Sequence, residues 1–329
     1  RGMRADTLAA LKELDSPVYR WPGGNFVSGY NWKDGIGDPD RRPPRKNPAW
    51  QGIEHNDFGM HEYFDFLEEV GAEAFIALNA GDGSAELALE EVEYVLGGPD
   101  TPMGKLRAQN GRTEPWECTY WAVGNEMSGD WQIGNVPIDQ FVVRHNNFAD
   151  KLRAFDPTMK LIASGEAVTA YHDWDVQLLK GASGNIDLLS KHFYRQDNSS
   201  PGGLRSHVYQ IPKAIRDIAE AQRRYLAEIP ELNGKHITVS LDEWNYWYGP
   251  HVFGELGTRY FLRDGLGIAA GIQEYADHGD VIEMANYAQT VNVIGAIKTN
   301  KTNAQLETTG LMLSMYRRHF GTIPVEMTG

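Results

Sequence analysis

The 329-residue chain contains one cysteine, Cys118, which excludes an internal disulfide and a thiol zinc cluster and reads as a core residue. No apolar run approaches the roughly 18 residues that a membrane span requires. Basic residues are outnumbered: 31 Lys and Arg against 45 Asp and Glu leave a net charge of -14. That balance disfavours nucleic acid and anionic membranes as partners and suits a neutral ligand. Neither HExxH nor HxH occurs and the ten histidines are scattered, so no metal site is expected. A GxSxG serine elbow is also lacking. Gly265, Gly267 and Gly271 lie in a helical pattern with no strand before them, which argues against a dinucleotide loop. The first residue is arginine and no signal-peptide pattern precedes Arg4. The numbering is therefore expected to start inside a longer gene product, cytoplasmic rather than secreted.

What is present is an ordinary globular composition, 41% hydrophobic and 23% charged, on a chain long enough for a large core. Leu8, Leu11 and Leu14 predict a first helix over 5–14 with Asp6 as N-cap. Val18–Trp21 reads as a short strand broken by Pro22-Gly23-Gly24, and residues 25–57 form a long loop rich in Gly, Pro, Asn and Trp. Loops of that length in compact domains are usually functional. A helix carries Tyr63, Phe66, Leu67 and Val70 on one face and is closed by Gly71. Further helices are predicted over 84–96, 138–155, 173–181, a long stretch ending near Glu228, 256–277 and 304–319. Strands are predicted at Ala74–Leu78, Thr119–Val123, Leu161–Ser164, Ile186–Tyr194 and His236–Leu241, with a last strand and its loop over Val281–Gln289. Residues 97–115 and 196–205 read as polar loops, and the acidic stretch 86–93 as a solvated face.

One helix, then strand and helix alternating seven times, means a parallel sheet with right-handed crossovers. The expected fold class is α/β, a TIM (β/α)8-type barrel forming one catalytic domain over residues 1–329. Seven of its eight strands are counted, strand 1 being expected upstream of Arg1 and the domain truncated at both ends.

Two stretches stand out, WAVGNEM (Trp121–Met127) and VSLDEWNYWY (Val239–Tyr248). Each begins as a buried strand and ends in a carboxylate beside polar and aromatic residues. For Glu126 the bland alternative is an acid at a helix N-terminus. For Glu243 it is a strand-end acid in a surface ion pair. Two such carboxylates, each flanked by Asn and Trp, resist that explanation, because a charge at an apolar strand end is costly unless paired or used. The C-terminal ends of barrel strands are where these folds keep their chemistry. A pair of carboxylates facing one substrate is the apparatus of glycoside hydrolysis. One must be protonated to serve the leaving oxygen and the other ionised to attack the anomeric carbon. Asn125 could donate to a sugar hydroxyl, and Tyr194 could hold a carboxylate nucleophile through its hydroxyl. His192, at the same strand end as Tyr194, is as a residue type more often a satisfied core group. Trp21, Trp32, Trp50, Trp244 and Trp247 have core packing as the plain alternative to stacking on sugars.

Taken with RWPGGNFVSGYNWKDGIG (Arg20–Gly37), WQGIEHNDFG (Trp50–Gly59), KHFY (Lys191–Tyr194) and MANYAQTVNVI (Met284–Ile294), these motifs resemble the family 51 glycoside hydrolases, the α-L-arabinofuranosidases, over essentially the whole chain. The resemblance implies release of terminal α-L-arabinofuranosyl residues from arabinan, arabinoxylan and their oligosaccharides, with retention and without a cofactor. It implies Glu126 as acid/base and Glu243 as nucleophile. Asn25, Asn125, Tyr194 and Gln289 are implied as sugar-binding residues, Trp50 and Trp247 as walls of the subsites, and His192 as a neighbour of the sugar. By analogy it also implies a homo-oligomer. Retention calls for carboxyl groups about 5–5.5 Å apart. Ser128 stands where many relatives have Asp. The acidic strand-1 residue and the C-terminal β-sandwich of the family are not found in the sequence. An endo-β-glucanase or xylosidase on the same barrel, or an inactive sugar-binding fragment, are the competing expectations.

Overall fold

The computed structural model describes residues 2–196, 202–248 and 257–321. In chain order the elements are α1 (Ala5–Leu14), β1 (Val18–Trp21), the short strands β2 (Arg45–Lys46) and β3 (Ile53–Glu54), α2 (Met60–Val70), β4 (Glu73–Leu78), α3 (Ala85–Leu96), α4 (Pro102–Gln109) and β5 (Tyr120–Val123). They continue as α5 (Ile138–Phe155), β6 (Lys160–Ser164), α6 (Asp173–Ala182), β7 (Leu188–Arg195), α7 (Gly203–Glu228) and β8 (Thr238–Tyr246). The last are α8 (Leu262–Ala276), β9 (Ile282–Tyr287), β10 (Ile297–Thr299), β11 (Ala304–Leu306) and α9 (Thr308–His319). Hydrogen bonding joins β1, β4, β5, β6, β7, β8 and β9 in that order. Among the described residues no helix is long and apolar enough to cross a membrane.

Two compact units share these elements. The first comprises Pro17–Lys191 and Arg224–Ser240. Here β1, β4, β5, β6 and the start of β7 pair in parallel register, and Thr238 N donates to Asp187 O to add the start of β8. The strands read as unbroken apolar runs (Phe75-Ile76-Ala77-Leu78, Trp121-Ala122-Val123) because both faces of a parallel sheet are covered, and these residues are buried. Helix α2 shows how the covering layer is fixed. Its Tyr63, Phe64 and Leu67 are buried. The Tyr63 hydroxyl donates to Tyr19 O of β1 and accepts from Phe75 N of β4, so one phenol ties the helix to two strands. Gly71 closes α2 at φ 71°, as its sequence position predicts.

The 25–57 loop is held at its base by Arg42. Its guanidinium donates to Gly37 O, to Asn56 O and to both carboxylate oxygens of Glu62, while Glu62 also accepts from Gly59 N at the start of α2. Between Arg42 and Asn56 the chain turns back on itself through the β2/β3 ladder. Deeper in this unit, Lys191 and Asp175 form an ion pair at 2.8 Å with side chains 1% and 0% exposed. Asp175 also accepts from Tyr225 Oη and Glu166 N, and Lys191 donates to Thr169 O, so neither charge is left unsolvated.

The second unit comprises Gly2–Ser16, His192–Arg223 and the residues from Leu241 on. It contains the ends of β7 and β8, joined by Trp247 N donating to Arg195 O. Ala288 N donates to Trp244 O, linking the residue just after β9 to β8. Trp244 meets Tyr275 and Tyr287 edge-on. α8 packs against α9, and α1 docks on α9 through Ser314 Oγ and the Arg318 guanidinium, both donating to Glu13 O.

Several expectations are corrected. Asp6 does not cap α1: Arg4 occupies that position and Asp6 pairs with it from the first turn. Residues 97–115 contain α4, begun by the Thr101 cap and Pro102 and held by buried Arg107, which donates to Tyr94 O, Gly97 O and Thr113 O. The acidic stretch of α3 is not wholly solvated, since Glu91 is buried and its pKa is pushed well up by desolvation. The expected final helix over 304–319 begins only at Thr308, its first residues forming β11 of the antiparallel β10/β11 hairpin. The loop expected at 196–205 and the start of the helix expected from 256 lie partly outside the described residues.

Candidate active site

In the first unit the site begins where β5 ends. Trp121, Ala122 and Val123 anchor the strand in the core, and Gly124 at φ 82° turns the chain. A side chain there would meet Met127 and Ala80, so the turn needs glycine. Asn125 is buried. Its Oδ1 accepts from Arg20 at 2.5 Å and its Nδ2 donates to Asn25 Oδ1 at 3.2 Å, which locks the amide's orientation. The second Nδ2 hydrogen has no partner among the described residues, leaving one directed donor for a ligand hydroxyl.

Glu126 follows in a left-handed conformation, φ 46°, half-buried. Its Oε2 accepts from the Trp131 indole N–H at 2.9 Å. The turn behind it is braced throughout. Met127 N donates to Ser164 Oγ, Asn135 Nδ2 to Met127 O, and Gln132 Nε2 to Ser28 Oγ and Asn25 O. The Ser128 oxygen is buried with no partner among the described residues. Trp50 lies in the 25–57 loop with 46% of its surface exposed, and Asn47 Oδ1 accepts from its backbone N–H.

In the second unit the site is built on β7 and β8. β8 runs through Tyr246, so Glu243 lies inside the strand rather than past its end as its sequence suggests. Alternation sends Glu243 and Asn245 to one face and Asp242 to the other. Glu243 Oε2 accepts from Tyr194 Oη at 2.7 Å. The Tyr194 ring meets Trp247 edge-on, centroids 5.1 Å apart. Buried His192 donates Nε2–H to Asp242 Oδ1 at 3.0 Å, and its Nδ1 lies 3.7 Å from Glu243 Oε2.

Gln289 is exposed and its backbone carbonyl accepts from Ala296 N. The loop that carries it is gripped by buried Asn245. The two hydrogens of Asn245 Nδ2 are shared among three acceptors, Ala288 O at 2.6 Å, Ile294 O at 2.8 Å and Tyr260 Oη at 2.7 Å. Burial pushes the Tyr260 phenol far above its ordinary pKa. It therefore stays a neutral hydroxyl, with its one proton shared between Ile294 O and Tyr246 O.

The residues singled out from the sequence thus form two groups. Asn25, Asn125 and Glu126 are brought together in the first unit, with Trp50 on a separate loop. His192, Tyr194, Glu243 and Trp247 cluster in the second, with Gln289 connected through Asn245. Three participants escaped the sequence: Arg20, Trp131 and Asp242. Arg20 could have been noticed as a cation within an otherwise apolar strand. Asp242 is adjacent to Glu243 but faces away from it, and its role shows only once His192 is placed opposite.

Each group presents one carboxylate with a neutral ring donor on it, Trp131 on Glu126 and Tyr194 on Glu243, and the first also presents the Asn125 amide. Such a set can bind hydroxyl-rich ligands and supply both proton transfer and nucleophilic attack.

Comparison with known proteins agrees with this chemistry. The family profile described as "Alpha-L-arabinofuranosidase 1 domain" matches residues 10–215, and "Alpha-L-arabinofuranosidase C-terminal domain" matches residues 242–329. A probable α-L-arabinofuranosidase C from Aspergillus clavatus is 35% identical over 97% of this chain and 65% of its own length. An intracellular exo-α-(1→5)-L-arabinofuranosidase 1 from Bacillus subtilis is 32% identical over 91% of this chain and 63% of its own. Among solved structures, the thermostable GH51 α-L-arabinofuranosidase from Thermotoga petrophila superposes with a TM-score of 0.89 at 34% identity, covering 97% of this chain and 65% of that one. The chain therefore spans a little under two thirds of the length of these relatives. The fold class is α/β, of the TIM (β/α)8 type, with seven strands in its main sheet among the described residues. Matched by its family profiles and by relatives of this closeness, the chain belongs to the family 51 α-L-arabinofuranosidases.

Proposed function

We propose that the chain carries the catalytic apparatus of a retaining exo-acting α-L-arabinofuranosidase, which removes terminal arabinofuranosyl residues from arabinan, arabinoxylan and their oligosaccharides. The observation that carries this reading is the setting of Glu243: a carboxylate inside a buried strand of a family 51 chain, with one oxygen fixed by Tyr194. Glu243 bonds to the anomeric carbon as Glu126 protonates the departing oxygen. Glu126, now ionised, takes a proton from the water that cleaves the glycosyl-enzyme. Asn125 offers its spare amide hydrogen to a sugar hydroxyl near the reacting carbon. Asn25, Gln289 and His192 complete the polar contacts to the sugar, and Trp50 and Trp247 wall the subsites. The name of the Bacillus relative supports a cytoplasmic location.

The test is turnover of an aryl α-L-arabinofuranoside by wild type, Glu126→Ala and Glu243→Ala in the presence of azide. Azide should restore Glu126→Ala with an α-configured azide product, since it intercepts the glycosyl-enzyme. With Glu243→Ala it should yield the β-azide by direct displacement. Absence of arabinosidase activity in the wild type, or the same anomer from both variants, would refute the assignment.

A further inference from the structure

We propose that Trp131 is the positioning residue of the acid/base. By donating to Glu126 Oε2 it confines the transferable proton to Oε1 in both halves of the reaction. This deepens the proposed function and rests on Glu126 being the acid/base.

The argument starts from what an indole can do. Its N–H is a donor with no acceptor capacity. An oxygen that receives it must therefore present a lone pair whether the carboxyl is protonated or not. In the acid form the carbonyl oxygen is the stronger acceptor of the two, so the 2.9 Å bond to Oε2 favours the proton on Oε1. That proton goes to the leaving oxygen. In the second half-reaction the same Oε1 accepts the proton of the incoming water. One oxygen serves both steps without rotation of the carboxyl group.

The backbone is shaped around this contact. Gly129 has no side chain, and the indole lies across the space one would fill: a Cβ at 129 would fall 2.4 Å from Trp131 Cε2 and Cζ2. Gly129 N donates to Glu126 O, closing a turn that brings residue 131 back over residue 126. The next residue, Gln132, is buried and fastened to Ser28 and Asn25, so the base of the indole is held although its ring is not enclosed. A tryptophan kept for core packing would be buried, whereas this one exposes 52% of its surface. Its one side-chain hydrogen bond goes to the carboxyl group that must change protonation state in every cycle.

The experiment compares Trp131→Phe with wild type over a series of α-L-arabinofuranosides whose leaving groups run from dinitrophenoxide through phenoxide to methoxide. Phenylalanine keeps a ring over Gly129 and removes only the donor. General acid assistance matters little for dinitrophenoxide and a great deal for methoxide. The expected result is a kcat/KM loss that grows along the series, reaching about 10- to 100-fold for the methyl glycoside, a part of the 10²–10⁴ that a general acid supplies. Gly129→Ala, which displaces the indole without altering it, should show the same trend. A uniform loss across the series, or none at the methyl glycoside, would overturn the proposal. Glu126→Ala on the same series separates the two ideas. If its loss is also uniform, the acid/base assignment itself fails. If its loss is steep while that of Trp131→Phe is flat, only the positioning role fails.

Discussion

Replacing Lys191 with methionine gives a sharp test of how the first unit is held. The substitution preserves chain length and apolar volume but removes the cation from a site where both partners are almost completely enclosed. Asp175 keeps Tyr225 Oη and Glu166 N as donors, so two of its three hydrogen bonds survive. What is lost is the ammonium that offsets desolvation of the carboxylate, and Thr169 O loses its donor as well. Leaving one member of a buried pair uncompensated costs about 3–5 kcal/mol. Against a total stability of roughly 5–15 kcal/mol this is a large share. For a unit of this size each kcal/mol moves the melting midpoint by about 2–4 °C, so the drop should be about 6–20 °C. Asp175→Asn should cost a similar amount by stranding the ammonium. The double variant should be less destabilised than either single one, because removing both charges removes the desolvation term. Thermal unfolding followed by circular dichroism decides the matter. Single variants within about 1 kcal/mol of wild type, or a double variant showing the sum of both losses, would refute the reasoning.

Two further outcomes are expected. His145 is buried, with Nε2 on Asn185 O and no partner for Nδ1 among the described residues, and desolvation pushes its pKa down to about 4 from 6.5. The neutral ring's contribution is fully present above pH 6.5 and lost as pH falls toward 4, amounting to roughly 3 kcal/mol at 1.36 kcal/mol per pH unit. Urea titrations at pH 7 and 4.5 should show a shallower decline for His145→Gln than for wild type. Asn245→Ala takes the amide donor from Ala288 O, at about 1–3 kcal/mol for a buried group stranded, while Ile294 O keeps the Tyr260 hydroxyl. Melting should fall accordingly, and KM for an aryl arabinoside should rise as Gln289 loses its fixed position; an unchanged KM would disconnect Asn245 from substrate binding.

The alternating order of strands and helices was legible because parallel strands covered on both faces announce themselves as apolar runs, as in β4 and β6. The limits of β8 were not. After Leu241 come Asp242, Glu243 and Asn245, which look like a loop until His192, Tyr194 and Tyr260 are found to satisfy them within a strand. Helix α4 was hidden for a related reason. Its PMGKLRAQ has little apolar periodicity, and its hold on the protein is the Arg107 guanidinium gathering three carbonyls. Glu91 failed in the opposite direction, since an acidic run gives no sign that one member faces inward. The two glutamates were found through motif and flanking residues, whereas Trp131 gave no signal: its position beside Glu126 depends on Gly129 leaving room for the ring.

The Arg42 clasp has a consequence for how this family can diversify. One guanidinium secures both ends of the segment between Gly37 and Asn56 and ties them to α2, while Arg45 within the segment pairs with Asp34. Segments of other length or sequence spliced between those anchor points should leave the Arg42 contacts in place. On the function proposed, exchanging the tip around Trp50 should alter which polymer branches are accepted.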